Sequence, residues 1–234
     1  MINRMKRRFF HHFIDLLYPN LCLICNESLM STENQLCLSC FSKMPKTNYH
    51  LLQDNPVEKR FWGKVPVERA TSFLFFQKGS DFQKLIHELK YRGNKEVGVT
   101  MGKFAAADLL DSDDFKSIDL IVPVPLHEKK EAKRGYNQSE MICNGIAEIL
   151  GMPVVTDNLY RTAENTTQTR KSVFERYENT QGIFGLKNPA EFEGKHILIV
   201  DDVLTTGSTV EACIQALLQA KNTRISVFTL AIAT

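Results

Sequence analysis

The chain has 234 residues, 43% of them hydrophobic and 24% charged, enough for one substantial core and a small appended module. Its 29 basic and 27 acidic side chains leave a net charge of +2, which gives no global field of the kind that marks a nucleic-acid protein. No run reaches the roughly 20 apolar residues that a membrane span needs, so no transmembrane segment is expected.

Residues 1–19 start basic (Lys6, Arg7, Arg8) and carry Phe9, Phe10, Phe13, Ile14, Leu16 and Leu17 at helical spacing, which predicts a short amphipathic helix. The apolar run is broken by His11, His12 and Asp15 and leads to no small-residue cleavage site, so it does not read as a signal peptide, and a cytoplasmic location is expected. In that reducing compartment the six cysteines require metal binding or burial rather than disulfides.

Residues 20–46 hold four of those cysteines among short polar turns, with too little apolar bulk for a core of their own. Cys22-x-x-Cys25 and, eleven residues on, Cys37-x-x-Cys40 form two ligand pairs on two turns. That spacing lets four thiolates surround one tetrahedral Zn²⁺ whose binding energy folds the module. A redox pair is the competing reading, which the duplication disfavours. Residues 47–67, polar and punctuated by Pro56 and Pro66, read as a linker.

From 68 to 234 strands and helices alternate, which predicts an α/β fold: a parallel sheet flanked by helices. The expected elements are a strand over Ala70 to Phe76, a helix over Phe82 to Tyr91 ending at Arg92-Gly93-Asn94, a helix over Gly102 to Leu110, and a buried strand over Ile118 to Val124. A helix over Gln138 to Leu150 follows; then Tyr160 to Gly182, polar and aperiodic, suits a functional loop. Strand Ile197 to Val200, helix Ser208 to Ala220 and strand Ile225 to Ala231 complete the chain. Cys143 and Cys213 lie among apolar helix residues and read as inert core thiols.

In an open parallel sheet, ligands bind beyond the carboxyl ends of the strands. Asp201 and Asp202 follow four aliphatic residues at such an end. Buried unpaired they would be costly, so they should face a polar crevice and accept hydrogen bonds from hydroxyls or hold Mg²⁺ through water. Thr205-Thr206-Gly207-Ser208-Thr209 then offers hydroxyls and backbone N–H groups at a helix N-terminus, an arrangement suited to a monoester phosphate. A plain helix cap would need only one such residue. No G-x-x-x-x-G-K-[ST] loop is present, so the chain is not itself a P-loop motor. Upstream, Val124, Pro125, Leu126 and His127 form a turn read as exposed amides, followed by the cationic side chains Lys129, Lys130, Lys133 and Arg134. Arg161, Gln168 and Arg176 are the residues of the polar stretch most suited to reaching a substrate. No residue presents itself as a general base.

The run Ile197 to Gly207 resembles the signature of type I phosphoribosyltransferases. The resemblance implies that Asp201 and Asp202 hold the ribose hydroxyls of phosphoribosyl pyrophosphate, accompanied by Mg²⁺, that Thr205 to Thr209 bind its 5′-phosphate, and that the turn Val124 to His127 with Lys130 and Arg134 grips the pyrophosphate leaving group. It narrows to the ComF family through Pro123 to His127, Arg134-Gly135-Tyr136-Asn137-Gln138, Lys90-Tyr91-Arg92-Gly93, Gln168, and Arg176 with Asn179. The chain departs from that family's pattern at Asn165 and Lys171. The family implies a zinc finger fused to a phosphoribosyltransferase-like domain that serves DNA uptake in natural transformation. Its expected partners are a helicase-like ATPase of the ComFA type, single-stranded DNA and further copies of the chain. The alternative is a metabolic enzyme that moves phosphoribose to a nitrogen acceptor, and whether the chain turns over at all is open at the level of sequence.

Overall fold

The computed structural model describes residues 19–162 and 183–233. Their centre is a four-stranded, wholly parallel sheet made of β1 (Ala70–Phe76), β2 (Leu120–Pro123), β5 (His196–Leu204) and β6 (Arg224–Ala233), in the order β1-β6-β5-β2. β-Branched and aliphatic residues fill both faces of the two central strands, as burial on both sides demands. On one face Leu198, Val200, Phe228 and Leu230 meet Leu85 and Leu89 of α2 (Gln83–Tyr91), Met101 of α3 (Lys95–Leu110) and Ile142 and Ile146 of α5 (Gln138–Leu150). On the other, Ile197, Ile199, Ile225 and Val227 meet Val210, Ile214 and Leu217 of α6 (Ser208–Leu217). Each such fully buried aliphatic side chain contributes about 1.5–3 kcal/mol relative to exposure. A short helix, α4 (Glu128–Arg134), has no buried residue and lies between β2 and α5.

Several sequence expectations change. The helix expected over Gly102 to Leu110 begins at Lys95. Its glycines do not weaken it; they let it touch α5. A Cβ on Gly102 would stand 2.3 Å from the Ile142 carbonyl oxygen, and one on Gly145 would stand 2.1 Å from that of Val99. The last two strands run past their expected ends, so Asp201 lies within the ladder, opposite Thr229. The polar stretch after Tyr160 starts in a two-stranded antiparallel ribbon of β3 (Leu159–Arg161) and β4 (Phe184–Leu186), which periodicity did not reveal.

The segment 47–67, read as a linker, packs onto the domain instead. Val57, Phe61 and Val65 are buried in the α6-side core. Asn55 fastens the segment: its Nδ2 donates to the carbonyls of Tyr49, Leu52 and Ala70, and its Oδ1 accepts from the N–H groups of Val57 and Glu58. The four-cysteine module is likewise docked. Cys22, Ile24, Leu36, Cys40 and Met44 join the core on the α2/α3/α5 side. Lys84 Nζ donates to the Ile24 carbonyl at 2.9 Å and Asn94 Nδ2 to Gln35 Oε1 at 2.9 Å. Among the described residues no helix is long and apolar enough to cross a membrane.

Candidate functional site

The end of β5 carries Asp201 and Asp202 out of the core, both partly buried. Asp201 Oδ1 accepts from Ser139 Oγ at 3.1 Å, in the first turn of α5, and from the Asp202 N–H at 2.8 Å. Burial, and then the charge of Asp202, push the Asp201 carboxyl up to about 7, against the opposing pull of the Asp202 N–H, Ser139 and Lys90. Asp202 Oδ1 is paired with Lys90 Nζ at 2.9 Å, a residue at the C-terminal end of α2.

Asp201 and the loop Thr205, Thr206, Gly207, Ser208 and Thr209 line one small open cleft together with Val203, Leu204 and Val210. Leu204 and Val210 are buried and anchor the two ends of the loop, leaving Thr205, Thr206, Ser208 and Thr209 exposed between them. Gly207 occupies the N-cap of α6 at φ +88° and has no side chain of its own to cap the helix, while the Thr206 hydroxyl accepts a long bond of 3.5 Å from the Ser208 N–H. That φ is one an L-residue holds only with strain. The Thr206 and Ser208 hydroxyls bond each other at 3.0 Å. The first turn of a helix whose N-cap is glycine has further N–H groups and a positive dipole end, which an anion can satisfy. The docked 47–67 segment backs this loop: Phe61 Cε1 lies 3.4 Å, and Arg60 Cβ 3.6 Å, from where a Cβ on Gly207 would stand.

The turn after β2 is placed beside the acidic pair, because the Val124 N–H donates to the carbonyl of Val200 at 2.8 Å. That bond corrects the expectation of a run of exposed amides. The Val124 N–H is taken and Pro125 has none, so Leu126 and His127 are the residues of the four whose amides could still serve an anion. The Val124 carbonyl accepts from Asn137 Nδ2 at 3.0 Å. His127 caps α4, its Nδ1 accepting from the Lys129 N–H at 3.2 Å, which is the work of a turn residue. Lys130 is exposed on α4. Arg134 is half-buried, donates to Gln138 Oε1 at 2.5 Å and lies with its guanidinium 5.7 Å from the Tyr91 ring centre. Arg161, on β3, stacks over Phe184 at 5.5 Å. Gln168 and Arg176, like Asn165 and Lys171, lie outside the described residues, as does the helix expected near the N-terminus. Lys90 and Ser139 are the site residues to which sequence reasoning assigned no chemistry; both stood in or next to the short motifs on which the resemblance rested.

In the cysteine module the sulfurs of Cys22, Cys25, Cys37 and Cys40 all lie within 4.8 Å of one another. Cys25 Sγ and Cys37 Sγ are 3.7 Å apart. Corners of a tetrahedron with Zn–S bonds of about 2.3 Å stand about 3.8 Å apart, so the four sulfurs fit one zinc ion. Burial opposes ionisation of Cys22, but the N–H groups of Cys25, Cys37 and Ile24 outweigh it and bring that thiol down to about 6. Cys37 Sγ accepts from the Cys40 N–H at 3.4 Å at the start of α1 (Leu38–Ser42). Cys143 and Cys213 are fully buried on α5 and α6, and desolvation raises both thiols well above the ordinary range, which leaves them inert.

Comparison with known proteins matches residues 102–233 to the phosphoribosyl transferase domain and residues 13–51 to the double zinc ribbon domain. The chain is 29% identical over 202 residues to the DNA utilization protein YhgH of Escherichia coli (strain K12), covering 85% of this chain and 84% of that protein. It is 25% identical to competence protein F of Haemophilus influenzae, over 81% of this chain and 86% of the relative. It is also 25% identical to the competence protein ComFC of Bacillus subtilis, over 92% and 95%. Among solved structures, the glutamine phosphoribosylpyrophosphate amidotransferase of Bacillus subtilis is similar at 19% identity and a TM-score of 0.43, over 61% of this chain and 30% of that one.

Proposed function

For a chain that belongs to the phosphoribosyl transferase domain family, of the ComF type with an N-terminal zinc ribbon, we propose a sugar-phosphate-responsive role in DNA uptake during natural transformation, on the cytoplasmic side. The ligand is phosphoribosyl pyrophosphate or a related nucleotide. The observation that carries this reading is the placement of a partly buried acidic pair near the end of β5 beside an exposed hydroxyl-rich loop whose glycine forms the N-cap of α6. In this reading the carboxylates of Asp201 and Asp202 accept the ribose hydroxyls, and Thr205 to Thr209 take the 5′-phosphate through N–H and O–H donors. Leu126, His127, Lys130 and Arg134 face the pyrophosphate, while Arg161, Gln168 and Arg176 reach the ligand from the polar stretch. Magnesium accompanies the ligand and neutralises pyrophosphate charge. Zinc on the four thiolates supplies a structural cross-link. A helicase-like ATPase of the ComFA type supplies the motor, and single-stranded DNA is the further partner. The names of the relatives support the competence role; the cleft and the family support the ligand.

The test pairs calorimetry with transformation. Wild type is expected to bind phosphoribosyl pyrophosphate in the presence of Mg²⁺, and the Asp201→Asn/Asp202→Asn double variant to lose both binding and DNA uptake. Loss of binding with uptake intact would mean that the site is dispensable for the role. A wild type that binds neither the sugar phosphate nor any nucleotide would remove the ligand reading altogether.

A further inference from the structure

Lys90 lies outside the matched domain, on the last turn of α2, and yet its ammonium sits 2.9 Å from Asp202 Oδ1 with only 20% of the lysine side chain and 14% of the aspartate side chain exposed. The α2 turn is already held there without this ion pair. The Tyr136 hydroxyl donates to the Leu89 carbonyl, and Arg134 lies over the ring of Tyr91 at 5.7 Å. Lys95 in turn lies 5.3 Å from the Tyr136 ring centre. These contacts hold the turn that carries Lys90 against the segment from Arg134 to Tyr136, while the Lys90 ammonium itself meets Asp202.

Resting on the ligand reading above, we propose that Lys90 is a ligand-contacting residue that recognises an anionic group on C1 of the bound sugar. A sugar whose hydroxyls rest on Asp201 and Asp202, with its C1 substituent turned toward the segment from Leu126 to Arg134, brings that substituent past Lys90. The phosphate loop, Thr205 to Thr209, holds no cationic side chain, and two adjacent carboxylates repel an incoming polyanion. A lysine ammonium has three donors, and Asp202 takes one. The same ammonium thus offsets the acidic pair and offers a charge-assisted donor to the leaving group. The site should therefore prefer a sugar 5-phosphate bearing a C1 phosphate or pyrophosphate over one bearing a free C1 hydroxyl, and Lys90 should be the source of that preference.

Calorimetry on the full chain, comparing phosphoribosyl pyrophosphate with ribose 5-phosphate, separates this inference from the reading beneath it. Lys90→Met is expected to weaken phosphoribosyl pyrophosphate about tenfold to a hundredfold, the range of one charge-assisted hydrogen bond, while ribose 5-phosphate changes little. Retained ribose 5-phosphate binding also shows that the variant is folded, and Lys90→Arg should keep most of the preference. Equal losses on both ligands would overturn the inference, as would tighter binding of phosphoribosyl pyrophosphate by Lys90→Met, which would make Lys90 a competitor for Asp202. A wild type that binds the two ligands equally removes the role of Lys90 and leaves the sugar-phosphate site standing. A wild type that binds neither removes both.

Discussion

Asp201 is where residue chemistry and protein stability pull in opposite directions. Its carboxyl is raised to about 7 by burial and by Asp202. An acid whose folded-state value lies above its unfolded one costs stability as pH rises between the two, because the folded chain then binds more protons than the unfolded one. Asp201→Asn should therefore be more heat-stable than wild type at about pH 8, by about 2–4 °C for each kcal/mol relieved, and lose that advantage near pH 4. A differential scan that finds wild type equal or superior at the higher pH would refute the raised value. Ligand affinity should move the other way. Below about pH 7 the wild type should lose up to tenfold in affinity per pH unit beyond the slope of Asp201→Asn, which retains only the titration of the phosphate of the ligand. Asp201, Asp202 and the loop to Thr209 were legible in the sequence because their chemistry is written in consecutive residues. Ser139 and Lys90 were not, since they reach the acidic pair from other elements, Ser139 from 62 positions away, and nothing local announces such a meeting.

At the scale of elements, the crossing of α3 and α5 is built on absent side chains. Gly98, Gly102 and Gly145 bring the two backbones together; a Cβ at Gly145 would also stand 3.0 Å from Gly102 Cα. Gly145→Ala should separate the helices and destabilise the chain by about 1–3 kcal/mol or more, as overpacking does, read as a drop in the urea midpoint. Because α5 carries Ser139, the same variant should weaken ligand binding without touching a ligand-site residue. The period-two and aliphatic runs made β1, β2, β5 and β6 readable, and the amphipathic spacing made α2 and α5 readable. The start of α3 was hidden because glycine counts against a helix locally and serves it only through a partner. The docking of 47–67 was hidden because Val57, Phe61 and Val65 are scattered among polar residues, and their burial is decided by the core that they meet.

For the whole molecule, the zinc ribbon and the larger domain share one core, so removing metal should reach beyond the ribbon. Lys46 pairs with Asp108 on α3 at 2.8 Å, and the Phe41 ring lies 4.5 Å from that of Phe104. Chelation of the purified chain should release about one zinc per chain and raise hydrogen exchange in residues 20–46 and along α2 and α3, with β5 and β6 still protected. Exchange confined to the ribbon would show that the interface is passive. The ribbon also ends in a stitch along the sheet margin. Thr47 N–H donates to the Phe73 carbonyl, Phe75 N–H donates to that of Pro45, and Lys46 stands opposite Leu74 in antiparallel register; at the far margin the Ile121 N–H donates to the Pro153 carbonyl and the Ile121 carbonyl accepts from the Val155 N–H. Unpaired strand margins template the pairing of one chain with another. A truncation that begins at residue 68, chosen to isolate the ligand-binding domain, would unzip the β1 margin along Phe73 to Phe75 and offer its amides to neighbouring molecules. Light scattering should find it assembling into soluble aggregates or fibrils where the full chain does not, which would make the zinc ribbon a built-in guard against self-templating as well as a candidate metal site.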